Sequence, residues 1–424
     1  MTSVKKLIKE FKKRADENGI PCFTNAEWRK FRDQHDKQDI KNALAEYIHQ
    51  NKVEFPLKRY PESKFQKLFK RFYETSHNDW LSHPKPNSVA EKFDYKYKYS
   101  DKPLGVIGKS HYYNWISDFF QQKNRLSCGS LLCDSPIGIW NDIEKLKTMN
   151  WHFWRDGVLQ ESGVDPKTFR SSFRLGTYTA TQFKPSVAKF LYEYHNAKNI
   201  LDTSCGWGDR LAAFYGTPNT ESYLGCDPNP DVYEVYKKQC VAYEKLLGGN
   251  PVITEEDDMF ICVGKKKVII YNLPAEDVPW DLYENTIDLY FTSPPYFATE
   301  KYGIGSGAEE NQSWSRYNTF ESWRDDFFFH VTKSVWKTIR KNGYMMINII
   351  EPSGKKGRHN LCDSMVEFCE TLDNCHYVGK FGMRMMGRPH TADVDGCYIE
   401  PVWTFMKGKK EYTRIKSGLE MFME

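Results

Sequence analysis

No run of about 18 apolar residues occurs anywhere in this 424-residue chain, so no transmembrane helix is expected. The opening segment, MTSVKKLIKEFKKRADENG, is basic but has no continuous apolar stretch behind it. It does not read as a secretory leader. No CxxC pair exists, and no Cys/His set has zinc-finger spacing; the eleven cysteines are scattered from Cys22 to Cys397. Those absences argue against a metal site and for free thiols in a reducing, cytoplasmic compartment. Internal repeats and low-complexity tracts are missing too. What remains is an ordinary globular composition, 40% apolar, 15% aromatic and 27% charged, enough for a packed core and two or three domains.

Charge is unevenly placed. Residues 1–100 carry 22 Lys/Arg against 14 Asp/Glu, whereas the rest carries 38 against 42. A basic N-terminal part on a slightly acidic remainder suits a polyanionic partner. Three regions are expected: a basic, mainly helical region over 1–100, an aromatic-rich connecting region over 101–175, and a catalytic domain over 176–424. Within the first, Phe65, Leu68, Phe69, Phe72 and Tyr73 fall on one helical stripe. Lys64, Lys67, Lys70 and Arg71 lie largely off it, either contacting phosphates or simply facing solvent. Residues 76–105 read as an irregular connection. Trp115, Trp140, Trp151 and Trp154 serve either as core or as stacking platforms for bases.

From about residue 176 short apolar runs alternate with helical stretches. Strands are expected at 199–203, 223–227, 268–271, 287–292 and 344–350, with helices over 209–216, 230–247 and 320–341. That alternation means a parallel sheet covered by helices on both faces. Two later strands, 376–383 and 398–406, read as an antiparallel pair at the sheet edge.

The first of these strands ends in Asp202-Thr-Ser-Cys-Gly206-Trp-Gly208-Asp-Arg210. Glycines at a strand-to-helix turn let a ligand approach the backbone. The next strand ends at Asp227, 19 residues after Gly208, where a carboxylate can accept from both hydroxyls of a ribose. A dinucleotide fits less well, because position 211, where a third glycine would stand, is Leu. Asp202, ahead of the glycines, suits a cationic cofactor better than a pyrophosphate. These segments resemble the class I methyltransferase fold, whose first motif is similar to LDTSCGWGDR and whose second is similar to GCDPNP. The resemblance implies S-adenosylmethionine, held by Asp202, Cys205, Gly206, Gly208 and Asp227. Gln182-Phe183-Lys184-Pro185 resembles the preceding motif of DNA amino-methyltransferases, which implies that Phe183 and Lys184 meet the methionine end. Asn272 to Asp277 occupies the place where this fold contacts adenine, which implies Glu276 there, with Asp277 as the alternative. Family members often have Asp before Ala at that place; this chain has Pro274 before Ala275.

The strand at 287–292 runs into Ser293-Pro294-Pro295-Tyr296. Two prolines stiffen the backbone and remove two N–H donors. A small acceptor beside an aromatic platform is what a planar aromatic amine needs: Ser293 and a nearby carbonyl accept from it, and Tyr296 stacks on the ring. The tetrapeptide resembles the Ser-Pro-Pro-Tyr signature of DNA amino-methyltransferases, acting on cytosine N4 or adenine N6 of a flipped base. With Ser before Pro-Pro-Tyr, the resemblance implies cytosine N4 ahead of adenine N6. Carbon-5 methylation would require a cysteine nucleophile, yet the one Pro-Cys pair, Pro21-Cys22, lies far upstream. The expected partner is DNA, with RNA the alternative reading and a catalytically silent nucleic-acid-binding protein a further one. Target recognition falls to residues 1–175, to the glycine-rich loop over 297–320, or to the loop from Arg384 to His390.

Overall fold

Ile287-Asp-Leu-Tyr-Phe-Thr292 is buried along its whole length, as a strand covered on both faces must be. The computed structural model describes residues 3–76, 81–82, 98–99, 103–108, 111–130, 133–149, 163–297, 300–354, 357–386 and 397–408. Its helices are α1 (Ser3–Lys13), α2 (Asn25–Gln34), α3 (Lys37–Gln50), α4 (Glu62–Glu74), α5 (Trp115–Ser127), α6 (Pro136–Trp140), α7 (Ile143–Thr148), α8 (Pro166–Gly176), α9 (Pro185–Tyr194), α10 (Asp209–Gly216) and α11 (Pro230–Leu246). Further on come α12 (Ser313–Arg316), α13 (Phe320–Ser322), α14 (His330–Trp336) and α15 (Cys362–Glu370). The strands are β1 (Leu81–Ser82), β2 (Pro103–Ile107), β3 (Gly129–Ser130), β4 (Asn199–Asp202), β5 (Ser222–Cys226), β6 (Val252–Glu256), β7 (Met259–Val263) and β8 (Lys267–Tyr271). They continue as β9 (Ile287–Thr292), β10 (Glu300–Lys301), β11 (Ile339–Asn348), β12 (Ser353–Gly354), β13 (Gly357–Arg358), β14 (Cys375–Met386) and β15 (Cys397–Lys407).

Eleven strands form one sheet in the order β1-β2-β14-β15-β11-β9-β4-β5-β8-β7-β6. Its centre, β11-β9-β4-β5-β8, is parallel. Strand β15 runs antiparallel between β11 and β14. The late antiparallel pair therefore forms, and the sheet continues past it with β2, parallel to β14, and then β1. On the opposite side β7 and β6 add a hairpin. The chain goes from β4 outward to β5 and β8, then crosses back to β9 and β11. The strand order thus reverses between β4 and β9, and a crevice opens at their carboxyl ends.

Alternation along the strands divides the core. Ile200, Phe291 and Met346 face a cluster with α4, α5, α9, α10 and α11. Leu201, Tyr290, Met345 and Ile347 face the other cluster, which contains Trp280, Trp323, Val331 and Met365. A third core joins Phe11, Trp28, Phe31, Ile40 and Tyr47 to Trp140, Phe169 and Phe173. Helix α4 belongs to the sheet's core: Phe69 stacks on Tyr243 at 5.2 Å, and Phe72 lies against Tyr113 at 4.7 Å. Trp151 and Trp154 lie outside the described residues.

The long helix expected over 320–341 is shorter and interrupted. Between α13 and α14, residues Trp323–Phe329 take the wider π turn. Such a turn sets residues five apart above one another, and the buried Trp323 and Phe328 rings stack at 5.5 Å. Asn342 and Gly343 lie inside β11 at a break in its pairing with β9. Asn342 takes the left-handed conformation there, with φ of 64°.

Candidate active site

The carboxyl ends of β4, β5, β9 and β11 surround a cavity of about 700 Å³. Its first half is built on the glycine turn after β4. Gly208 caps α10 with φ of 69°, and a Cβ there would stand 2.4 Å from Gln239 Oε1, so a side chain would strain the backbone and displace that amide. The Gly206 N–H donates to Asp227 Oδ2 at 2.8 Å, locking the turn to the end of β5. Asp227 Oδ1 accepts from the Asn229 N–H at 3.0 Å, and Tyr236 donates to Oδ2 at 3.2 Å. Burial outweighs these bonds and pushes the Asp227 carboxyl up to about 6.

Phe183, Cys205, Gly206, Asp227 and Glu276 all line this cavity. Glu276 Oε1 accepts from Tyr317 at 2.7 Å and pairs with Arg316 at 3.0 Å, while its buried Oε2 has no hydrogen-bond partner. Cys205 is a buried thiol whose pKa burial raises. Asp202, Lys184 and Gly208 stand behind the lining. The Asp202 carboxylate accepts from Arg210 Nε at 2.7 Å, Tyr223 at 2.7 Å and the Ser204 N–H at 3.1 Å. It ties the turn to the sheet and to α10. The Lys184 ammonium donates to the Arg384 carbonyl.

The second half is built on β9 and β11. Ser293, Pro294, Pro295 and Tyr296 all line the same cavity. Ser293 Oγ donates to Asn348 Oδ1 at 3.3 Å, and Asn348 Nδ2 donates to the Pro401 carbonyl at 2.9 Å. Tyr296 reaches the Asn348 carbonyl at 3.5 Å. Since the amide N–H of Asn348 is committed to Pro401, its oxygen faces Ser293. The hydroxyl hydrogen is thereby drawn away, and the serine lone pairs are left to accept.

Three further groups lining the cavity were not assigned from the sequence. Asn348 follows the buried run Met345-Met346-Ile347 at the end of β11, and an amide closing that apolar run was the available signal. Asp209, at the start of α10, accepts from Gln182 Nε2 at 2.9 Å and from Ser117, and burial pushes it up to about 7. Glu300 accepts from both Tyr178 and Tyr302, and burial raises its pKa. Glu300 lies in β10, which pairs with β3 and so fastens the glycine-rich loop to the N-terminal part. That loop holds Trp314 Nε1 3.0 Å from the Tyr302 carbonyl and sets Tyr302 5.9 Å from Trp207. Residues 387–390 of the other suspected recognition loop lie outside the described residues.

Among the described residues, no group of three His, Cys, Asp or Glu is placed to hold a metal ion. Nor is any helix there long and apolar enough to cross a membrane.

The fold is that of the class I methyltransferases: a mostly parallel sheet with helices on both faces, an inserted antiparallel strand, and a ligand crevice at the switch point. Neither a family model nor a curated protein matches the sequence. Solved structures do match. Trm1 from Pyrococcus horikoshii, in complex with S-adenosyl-L-methionine, is 12% identical with a TM-score of 0.33, over 54% of this chain and 57% of that one. A putative S-adenosylmethionine-dependent methyltransferase from Listeria monocytogenes is 10% identical with a TM-score of 0.31, over 53% of this chain and 100% of that one. An rRNA methylase from Streptococcus thermophilus is 11% identical with a TM-score of 0.31, over 54% of this chain and 100% of that one. The chain thus spans little more than half the length of the archaeal Trm1 it matches.

Proposed function

We propose that this protein methylates an exocyclic amino group of a DNA base, cytosine N4 ahead of adenine N6, with S-adenosylmethionine as donor. The observation that carries the reading is the Ser293–Asn348 hydrogen bond, which turns a serine acceptor into the cavity that the glycine turn and Asp227 also line. Asp227 would hold the ribose hydroxyls, and Glu276, with an unpartnered buried oxygen, would accept from the adenosine end. Phe183 would pack beside the methionine end. When bound, the cofactor supplies an electrophilic methyl on a sulfonium.

The chain's own groups prepare the amine. Ser293 Oγ accepts one amine N–H, which draws the nitrogen lone pair out of conjugation with the ring. Tyr296 covers a face of the base and holds its amine against that acceptor. Pro294 and Pro295 hold the serine rigid and offer no N–H that could compete for the amine. Apolar side chains around them, Phe327, Ile350 and Met383, exclude water from the base. The preference for cytosine rests on serine standing at position 293. Incubation of the purified protein with methyl-labelled cofactor and, separately, DNA, RNA and protein tests the proposal. Label in DNA supports it; label confined to RNA or protein overturns the choice of polymer.

A further inference from the structure

The four basic residues of α4 do not share one surface. Lys64 and Arg71 lie seven residues apart on the flank facing the start of α5. Lys64 Nζ stands 4.3 Å over the Trp115 ring, and the Arg71 guanidinium 5.6 Å over Tyr112. Lys67 and Lys70 lie on the other flank, in a concavity with Lys198 and Lys265 at the amino ends of the strands. Acids answer the cations there: Lys70 faces Glu74 at 3.8 Å, and Lys198 pairs with Glu221 at 2.7 Å.

The Lys64–Arg71 flank is continuous with the cavity mouth. His111 and Asn114 line the cavity, and Tyr112 and Trp115 follow them directly in the chain. Arg174 lines the same mouth and is exposed. Lys58 also stands over Trp115, at 3.6 Å, and Tyr60 packs on that ring at 4.2 Å, so the indole is fixed. Tyr112 is 52% exposed, an aromatic face open to solvent beside a guanidinium. Asp118, the carboxylate nearest this flank on α5, is taken up by Arg125 at 2.8 Å. Cations, an open aromatic ring and continuity with the site are what a nucleic-acid strand requires.

We infer that the strand flanking the target nucleotide runs from the cavity mouth over Tyr112 and along the Lys64–Arg71 flank of α4, not along the Lys67–Lys70 flank. The inference rests on the proposed action on DNA. Tyr112 stacks on a neighbouring base, and Lys64 and Arg71 contact its phosphates.

Binding of a fluorescent single-stranded oligodeoxynucleotide, measured by anisotropy across a salt series, tests this. Lys64→Gln/Arg71→Gln should weaken binding at low salt and flatten the slope of log K against log salt by about 1.4, two lost contacts at about 0.7 each. Tyr112→Ala should weaken binding about tenfold and leave the slope unchanged. Lys67→Gln/Lys70→Gln should match the parent in both. S-adenosylmethionine affinity, unchanged throughout, shows that each variant is folded. Equal effects of the two double variants, or none from Lys64→Gln/Arg71→Gln, would overturn the inference while the function stands. A parent that binds no oligodeoxynucleotide at any salt would instead sink the choice of DNA, and this path with it.

Discussion

Ser293 Oγ lies 3.3 Å from Asn348 Oδ1, a contact between the ends of two adjacent parallel strands, β9 and β11. Because Asn348 is itself fixed by its bond to the Pro401 carbonyl, three strands set the direction of one hydroxyl. Asn348→Ala removes that constraint without touching the adenosine side. Turnover should fall about tenfold or more, the equivalent of one hydrogen bond, with cofactor affinity unchanged. Equal loss of both would show that Asn348 acts through the fold instead.

Asp227 ties the glycine turn to the end of β5, beside the proposed ribose site. Asp227→Ala should remove most cofactor affinity, since hydrogen bonds to a charged group are worth about 1.5–3 kcal/mol each. Calorimetry with S-adenosylmethionine measures it. The parent should also show a pH signature. Its carboxyl titrates at about 6, and hydroxyl donors bind the ionised form. Affinity should be level above that pH and fall as pH drops below it, by up to about tenfold per unit. Asp227→Ala should abolish the inflection.

Asp209 has a folded-state pKa of about 7, above the 3.8 of an ordinary aspartate, because it is buried. The folded state therefore holds the proton more tightly. The contribution is fully present below about pH 4 and is lost as pH rises through 7, on the order of 4 kcal/mol. Asp209→Asn keeps an oxygen acceptor for Ser117 and Gln182 and has no proton to lose. Its melting temperature should exceed the parent's at pH 8 and approach it at pH 4. A constant difference across that range would refute the assignment.

The two turn glycines should differ. Gly208→Ala meets both the left-handed backbone, about 1–2 kcal/mol, and Gln239 at 2.4 Å. Gly206→Ala, with φ of 56°, meets the backbone cost alone, since its nearest neighbour would be Ser204 O at 3.6 Å. Thermal unfolding should therefore show the larger loss for Gly208→Ala.

Much of this could be read from residue order. Strand β9 was legible as six apolar-leaning residues ahead of two prolines, and α10 as the helix that must follow a glycine turn. The placing of Ser293–Tyr296 and Asp227 around one cavity follows from that alternation. Other features depend on contacts between distant residues. Nothing local in Pro103–Ile107 says that it pairs with β14. Nothing in Glu300 says that two tyrosines, one 122 residues upstream, will bury it. The π turn at 323–329 is a matter of how Trp323 and Phe328 pack, which a period of 3.6 does not foresee. Asp202 shows how pattern and role can separate: its position matched the motif, while its carboxylate is saturated by Arg210, Tyr223 and the turn.

The proposed reaction is methyl transfer to an exocyclic base amine through the Ser293 site. The most direct measurement is nucleoside mass spectrometry of DNA incubated with the purified protein and deuteromethyl-labelled S-adenosylmethionine, run beside Ser293→Ala. The parent should yield labelled N4-methyldeoxycytidine and the variant little, at equal cofactor affinity. Label on N6-methyldeoxyadenosine would change the base and leave the mechanism standing. Label on carbon-5 of cytosine, or equal label from Ser293→Ala, would contradict it.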